Sequence, residues 1–481
     1  MRIKGANRLS LKLAAPAALA VAMMAFGAVA WAGGDSGGDL NSEVQQLQQE
    51  VQELKGEVST LKTEQTVSVP AAGSKSPTIG EQVGSIGKDL GDIKTNLSTN
   101  LGVHIHGLVD ATYEFNFNQP KTAPPGAPNG RVNQLHVFDL NANSFDLQQG
   151  NIHIDRTTDG GVGFVTDINF GAVANVLSTA THYSNAFTIG TQNVDLTQAY
   201  MTYTLPVQQG VNFSLGRFVT LLGEETIPTW NAGDFNVSRD FIFGYAIPFT
   251  HTGLRAQYNF NSYVGATLGV NNGWDDVSDN NDGKSIEGQL SLNSGSLMSE
   301  NQSLAFVLSG IWGAENSGHG NTHRWVIDPI LTYHTPIAGL QLIDEFVYGQ
   351  DDGNDLVTPI PVSQAGAAPS PFAVSNPTWS GDAGYIVYDY TDNLEFALRG
   401  EWFRDANGAR TGLRQTLGEV TGTVNYKIPA VTGLLARLEY RHDESSAKPF
   451  FTNAGINPLT GSPYQTIAGQ NTVIGDVVYS F

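Results

Sequence analysis

The feature that most constrains the fold is an alternation of apolar and polar residues with a period of two, which recurs from residue 101 to residue 481. In residues 103–117 one face of an extended chain carries only Val, Ile, Gly, Ala, Tyr and Phe, and the other face is mostly polar. The same alternation returns in residues 252–260, 304–312 and 394–402. A strand of this kind has one apolar side and one hydrated side. The pattern therefore predicts an all-β region that covers most of the chain.

The lengths of the connections distinguish a membrane barrel from a soluble sandwich or solenoid, which share this pattern. Short turns are expected at residues 157–161, 206–210, 261–262, 336–339, 391–393 and 429–433. Longer connections are expected at residues 119–143, 171–193, 221–247, 273–282, 350–378 and 444–470. Because outer-membrane barrels alternate short periplasmic turns with long outer loops, we predict a transmembrane antiparallel β-barrel of about 16 strands. The alternation breaks around residues 145–154, 344–345 and 411–427, where β-bulges are expected.

The first 32 residues have the pattern of an export signal. Four basic residues precede an apolar, Ala-rich stretch at residues 13–29, and Ala30-Trp31-Ala32 supplies the small residues that a signal peptidase reads. We predict a signal peptide over residues 1–32, cleaved after Ala32; the alternative is an uncleaved membrane anchor. No later stretch has the 18 or more apolar residues of a spanning helix, so an exported chain of this sequence is either soluble or spans as a barrel.

A heptad repeat follows the signal peptide and predicts a short α-helical coiled coil over residues 33–65, in the periplasm. Its seam alternates Leu and Val at steps of four and three residues: Leu40, Val44, Leu47, Val51, Leu54, Val58 and Leu61. The alternative is a single amphipathic helix packed on its own chain. We expect a linker over residues 66–80, an amphipathic neck helix over residues 81–100 and the barrel over residues 101–481. Oligomerisation is expected, but three heptads do not determine the number of subunits.

Charge and cysteine content exclude several function classes. The formal net charge is −21, which argues against a nucleic-acid partner. The chain has no Cys, so it has no disulfide, thiolate nucleophile or zinc–thiolate site. There is no Gly-x-Ser-x-Gly motif, and adjacent acids such as Glu224-Glu225 point to opposite faces of an extended chain. We therefore expect no enzymatic activity and no catalytic residue.

Neither candidate for metal binding in the sequence is complete. His104 and His106 share the polar face of one strand, as zinc ligands can, but no third ligand is evident. Asp275, Asp276, Asp279 and Asp282 are close in sequence without the spacing of a calcium-binding loop. We expect no metal site and no cofactor, apart from divalent cations held loosely on acidic loops.

Five short runs resemble the outer-membrane β-barrel porin-2 family of Gram-negative bacteria, a resemblance that covers residues 102–481. These runs are residues 107–113, 141–145, 216–220, 239–253 and 271–275. The resemblance implies a barrel that conducts small solutes, and it assigns no particular solute. The coiled coil lies outside this resemblance and is similar to the N-terminal periplasmic extensions of some sugar and anion porins.

The connection at residues 221–247 is the expected pore constriction, because the corresponding loop folds inward in the porins that the chain resembles. Strand parity places Arg255, Arg399, Arg437 and Arg441 on the lumen face. The candidate constriction residues are Glu224, Glu225, Asp234, Arg239, Asp240, Arg255, Arg399, Arg437 and Arg441. Two alternatives stay open: an exterior loop that latches onto a neighbouring subunit, and lumen charges that only pair across strands and hold the wall together.

The last strand ends in alternating apolar residues with Tyr479 and Phe481 on one face. It resembles the terminal strand that the outer-membrane barrel-assembly machinery recognises. We therefore predict an outer-membrane porin in contact with lipid and lipopolysaccharide, forming a homo-oligomer that the resemblance implies is a trimer. It would allow passive diffusion of small hydrophilic solutes with a preference for cations. The alternatives are a structural anchor that links the outer membrane to peptidoglycan, and a substrate-specific sugar or anion channel.

Overall fold

A computed structural model describes residues 101–121, 131–156, 161–180, 194–230, 233–295, 298, 302–316, 318–352, 376–455 and 465–481. The predicted signal peptide, coiled coil, linker and neck helix lie outside the described residues. The strands are β1 (His104–Asn116), β2 (Ser144–Arg156), β3 (Val162–Phe170), β4 (Val194–Leu205), β5 (Val211–Val219), β6 (Thr250–Asn259), β7 (Val264–Asn271), β8 (Ser285–Asn293), β9 (Ser303–Asn316), β10 (His319–His334), β11 (Leu340–Asp351), β12 (Thr378–Thr391), β13 (Leu394–Asp405), β14 (Gln415–Lys427), β15 (Leu434–Ser445), β16 (Phe450–Phe451), β17 (Thr466–Ile467) and β18 (Gly469–Ser480).

Sixteen of these strands form one closed antiparallel barrel, as the alternation predicts. Each strand pairs with its neighbours in sequence, and β18 closes the barrel by pairing with both β15 and β1. At this seam the Phe481 amide donates to the Gly107 carbonyl at 2.9 Å, and the Gly107 amide donates to the Phe481 carbonyl at 3.1 Å. The Phe481 ring covers Gly107, where a Cβ would lie 2.6 Å from the ring. The strands β16 and β17 form a separate pair in the last loop.

The two ends of the barrel differ in the length of their connections. On one end, called the turn side, residues 206–210, 335–339 and 392–393 make tight turns. On the other, called the loop side, residues 117–143, 220–249 and 352–377 make long connections. The expectation of strict alternation is wrong at two consecutive connections. On the turn side, residues 294–302 join β8 to β9 and make a longer connection than the one that follows on the loop side. The strands β9 and β10 are joined on the loop side by residues 317–318 alone, so that these two long strands form a hairpin.

The side chains on the strands sort by face as a membrane barrel requires. On β13, Phe396, Leu398 and Trp402 point outward and are exposed, whereas Arg399 and Glu401 point inward and are buried. Outward apolar side chains suit contact with lipid, and inward polar ones suit a hydrated lumen. Among the described residues, no helix is both long and apolar enough to cross a membrane.

Only one of the three expected β-bulges is present. The register between β1 and β2 shifts opposite Asp110 and Ala111, which places an extra residue of β2 within residues 145–154. The pairings of residues 344–345 and 415–427 run without a shift. The breaks in alternation at these two places are therefore not β-bulges. They come from residues whose polarity does not match the face of the strand on which they lie.

The interior of the barrel contains an apolar cluster in addition to the polar wall. The helix α1 (Ala172–Ala180) contributes Val173 and Leu177, and a π-helical turn at Ile242–Ala246 is buried along its whole length. They pack with wall residues such as Trp379 and Phe403. The core of the protein therefore includes residues of the inward-folded connections as well as residues of the strands.

Candidate functional site

The connection between β5 and β6, residues 220–249, crosses the interior of the barrel, and we call it the inner loop. At its start the Leu221 carbonyl accepts hydrogen bonds from Gln289 on β8 at 3.0 Å and from Ser309 on β9 at 2.8 Å. Farther along, Asn236 donates to Thr423 on β14 at 2.6 Å. Because β8 and β14 lie on well-separated parts of the barrel wall, the loop spans the lumen.

Carboxylates on the wall bind backbone amides of the inner loop. Glu401 on β13 accepts from the amides of Phe241 and Ile242, both at 2.7 Å. Glu439 on β15 accepts in the same way from Val237 and Ser238, at 2.6 and 2.9 Å. Hydrogen bonds to an ionised acceptor are stronger than neutral ones. Each of these carboxylates therefore acts as a two-point anchor for the loop.

Arginines on the wall bind the same loop from the other direction. Arg399 on β13 pairs with Glu225 of the loop and with Glu419 of β14, the latter at 2.7 Å, and donates to the Ser238 carbonyl at 2.8 Å. Arg441 on β15 pairs with Asp443 at 2.6 Å and donates to the Arg239 carbonyl. Both arginine side chains are fully buried. They hold the loop against the wall.

The other candidates from the sequence lie in three further places. Asp240 accepts from the Tyr385 hydroxyl at 2.7 Å, beside Arg399. Asp234 pairs with Arg239, while Arg437 pairs with Asp476 of β18 and lies 3.8 Å from Asp110. Arg255 lies apart from all of these on β6, where it binds Glu287 at 2.8 Å. The structure thus groups the inner-loop acids with Arg399 and Arg441, but not with Arg255.

The carboxyls of Glu224 and Glu225 in the inner loop have altered acidity. Burial, together with the negative charges of Asp234 and Asp240, raises the pKa of the Glu224 carboxyl to about 7. Burial and the charge of Asp240 also raise the pKa of Glu225 well above its usual range, although Arg399 opposes this. Both groups are therefore more easily protonated than acids in water.

The inner loop packs directly on the β12–β15 wall. Trp379 on β12 donates to the Ala246 carbonyl at 3.0 Å, and the phenyl groups of Phe241 and Phe403 are buried at the same contact. Arg399 and Arg441 touch the inner loop directly, through the Ser238 and Arg239 carbonyls. That these residues limit the passage stays a prediction.

An open volume lies on the opposite side of the inner loop. It is a cavity of about 560 Å³, which we call the acidic cavity. The strands β2 to β4 contribute His153, Asp155, Asp167, Gln198 and Tyr200 to its lining, and the inner loop contributes Glu225, Thr226, Thr229 and Trp230. A smaller cavity of about 290 Å³ is lined by charges of both signs, among them Asp110, Asp234, Arg239 and Arg437.

Histidines from β1 and β2 meet the inner loop at the edge of the acidic cavity. The rings of His106 and Trp230 stack with centroids 4.1 Å apart and planes 10° apart. His153, the cross-strand partner of His106, lies 3.0 Å from Asp167 and 3.4 Å from Asp155. His153 is not among the residues predicted from the sequence. Pairing Ile105 with Ile154 would have placed it beside His106, but that register is not evident before the hairpin is known.

The four acids of residues 275–282 do not form a common site. Asp275 accepts from the amides of Phe249 and Thr250 at 2.7 and 2.8 Å, and burial raises its pKa to about 6. Asp279 pairs with Lys284. Asp275 therefore fixes the end of the inner loop, and loose binding of divalent cations by the other loop acids stays a prediction.

The barrel lies within the part of the chain that matches a known family. Residues 102–481 match the family described as "Putative beta-barrel porin-2, OmpL-like". The chain belongs to this family of outer-membrane β-barrel porins. The resemblance that the sequence motifs indicate is thereby confirmed.

Several solved outer-membrane channels are similar to the chain at low sequence identity. The chain is similar to OprB of Pseudomonas putida, with 11% identity and a TM-score of 0.48 over 86% of this chain and 100% of that one. It is similar to the channel DcaP of Acinetobacter baumannii, with 11% identity and a TM-score of 0.45 over 79% and 97%. An anion-selective porin from Comamonas acidovorans has 8% identity and a TM-score of 0.47 over 79% and 99%. A comparison with curated proteins finds no match.

Proposed function

We propose that this porin lets small hydrophilic solutes and ions diffuse passively across the outer membrane, with a preference for cations. The acidic cavity carries the proposal. The carboxylates of Asp155 and Asp167 line it, and the described residues of its lining include no lysine or arginine. Its third acid, Glu225, pairs with Arg399. The cavity lies beside the inner loop within the lumen, so an ion that permeates on this side of the loop passes these carboxylates.

The arginines of the lumen do little to offset this negative potential. Arg399 and Arg441 are neutralised by Glu419, Glu225 and Asp443 on the far side of the loop. Arg255, on the nearer wall, binds Glu287 through two hydrogen bonds. Charges of one sign in a narrow channel with a wall of low dielectric constant focus the field and enrich counter-ions. The cavity therefore favours cations over anions.

The experiment is planar-bilayer recording of the refolded mature protein in a potassium chloride gradient. The reversal potential of the wild type is expected to have the sign of cation preference. The double variant Asp155→Asn and Asp167→Asn should shift the reversal potential toward zero, because it removes two lining charges with little change of shape. Asp282→Asn, an exposed acid of another loop, is the matched control and should leave it unchanged.

Other results of the same recording identify the rival functions. A folded, heat-modifiable barrel that gives no conductance steps would contradict the channel and favour a structural anchor to the cell wall. A reversal potential that favours anions would contradict the cation preference. Current block by a sugar, with Trp230 and Tyr200 as the lining aromatics, would favour a sugar-specific channel.

The outer face of β11 and β12 supports the proposal of a homo-oligomer, which we infer to be a trimer. Asp344 and Asp382 lie on this outward face, next to the small residues Ser380 and Gly384. Charged side chains facing lipid cost up to about 2–4 kcal/mol, with acids at the lower end. Covering this polar patch with a second copy of the chain would remove the acids from lipid. Lipopolysaccharide, the barrel-assembly machinery and peptidoglycan stay expected partners.

A further inference from the structure

One histidine outside the acidic cavity lies among carboxylates from three parts of the chain. His136 belongs to the inward-folded first connection, whose described part, residues 131–143, we call the first loop. Its Nδ1 lies 2.6 Å from Asp139 Oδ2 in the same loop and 3.9 Å from Glu114 Oε1 on β1. One ligand atom from each of these three residues lies within 4.8 Å of the others.

The other ring nitrogen of His136 is held by a second group of residues. Nε2 lies 2.8 Å from Asp443 Oδ2 on β15, and Asp443 also accepts from Arg441 at 2.6 Å and from Gln470 at 2.8 Å. In metal sites a carboxylate of this kind accepts the N–H of the ligating histidine and fixes its tautomer and orientation. Asp443 thus fixes the orientation of the ring, with Nδ1 facing Glu114 and Asp139.

Two carboxylate oxygens at this place lack a partner. Glu114 Oε1 and Asp139 Oδ1 are buried and have no hydrogen-bond partner among the described residues. The Glu114 residue is only 3% exposed. An unpaired buried carboxylate oxygen is costly, and the group is normally satisfied by a proton, a cation or a metal ion.

We propose that Glu114, His136 and Asp139 form a binding site for a divalent transition-metal ion of the zinc class. One imidazole and two carboxylates suit zinc, which takes nitrogen and oxygen ligands at about 2.0–2.2 Å in sets of four. Calcium and magnesium prefer all-oxygen sets with more ligands. The charge of the ion balances the two carboxylates.

Such an ion would connect the barrel wall to both inward loops. It joins β1 to the first loop, and Phe138 of that loop packs on Phe243 and Phe249 of the inner loop with ring centroids 5.5 and 5.4 Å apart. The site does not depend on the proposed ion selectivity. Sequence spacing does not reveal it, because Glu114 and His136 come from a strand and a loop that only the fold brings together.

The test is calorimetric titration of zinc into the full barrel, refolded in chelator and then freed of it. One zinc ion per chain is expected, with affinity at least tenfold weaker in Glu114→Gln and in Asp139→Asn. The matched control is His153→Gln, another lumen histidine between two carboxylates, which should bind as the wild type does. Heat-modifiable mobility in electrophoresis shows that each variant is folded.

Either of two results would overturn the site: no zinc bound by the folded wild type, or binding lost in His153→Gln and kept in Glu114→Gln. If both carboxylate variants fail to fold, X-ray absorption of the zinc-loaded wild type decides. One imidazole and the remaining ligands as oxygen are expected. Two or more imidazoles would place the ion at the cluster of His104, His106 and His153 instead.

Discussion

At the scale of single residues, Arg399 shows that a charge facing the lumen can hold structure instead of contacting solutes. Strand parity orients it inward, which the structure reproduces, and the same holds for Arg255, Arg437 and Arg441. Parity does not predict which residue an inward side chain binds. Glu225 belongs to the inner loop, and no sequence periodicity predicts the path of that loop across the lumen. The contact between Glu225 and Arg399 could therefore not be predicted.

The buried position of Arg399 predicts a large loss of stability in Arg399→Gln. The substitution leaves Glu225 and Glu419 buried without their cation, and breaking a buried pair in this way costs about 3–5 kcal/mol. The measurement is the urea midpoint for loss of heat-modifiable mobility. Arg414→Gln, at an exposed arginine of the β13–β14 connection, is the control and should keep the wild-type midpoint. Equal midpoints for the two variants would contradict the structural role of Arg399.

Glu224 predicts a pH dependence with a definite sign. Its carboxyl has a pKa of about 7 in the folded chain against 4.5 when unperturbed. The folded state therefore binds more protons between pH 4.5 and 7, so this group makes the protein less stable as the pH rises through that range. Glu224→Gln stays neutral, and its thermal midpoint should exceed that of the wild type by an amount that grows to pH 7 and then levels off.

The control for this pH series is Glu444→Gln, an exposed acid near the loop end of β15. It should follow the wild-type curve at every pH. A constant difference between Glu224→Gln and the wild type from pH 4 to 8 would mean that Glu224 does not titrate in this range.

At the scale of elements, the strands follow from the sequence and the inner loop does not. Alternation yields sixteen strands because each one independently has a lipid face and a lumen face. The inner loop is placed by single contacts, such as Glu401 and Glu439 with four backbone amides, that depend on the finished wall. The β9–β10 hairpin could not be predicted because its connection, residues 317–318, is too short to interrupt the pattern. The period-two alternation continues through both of its strands.

The inner loop predicts that its removal widens the channel. Replacing residues 224–245 with a short Gly-Ser linker should raise single-channel conductance, because the loop divides the lumen between β8 and β14. A milder variant, Glu401→Gln with Glu439→Gln, keeps the loop but weakens its anchors and should increase the current noise of the open channel. Unchanged conductance in the folded deletion variant would show that the loop does not limit the passage.

At the scale of the whole molecule, closure of the barrel could be predicted and the filling of its interior could not. The sixteen strands bring β1 and β18 together, and their pairing closes the sheet. The barrel therefore has no exposed edge strand. The apolar cluster inside joins residues from the first loop, α1, the inner loop and four or more strands. No local period connects these segments, since each presents its apolar side only to the others.

The outward acids of β11 and β12 predict where protomers meet, and Gly384 allows a direct test. A Cβ at Gly384 meets nothing within 4 Å, so Gly384→Trp is compatible with the isolated barrel while it blocks close approach of a neighbour. Native electrophoresis should show that this variant shifts from oligomer to monomer. Gly475→Trp is the matched control on β18, where the space around the Cβ is equally open, and it should stay oligomeric. The reverse outcome would place the interface at the seam of the barrel, because Gly475 lies beside β1 there.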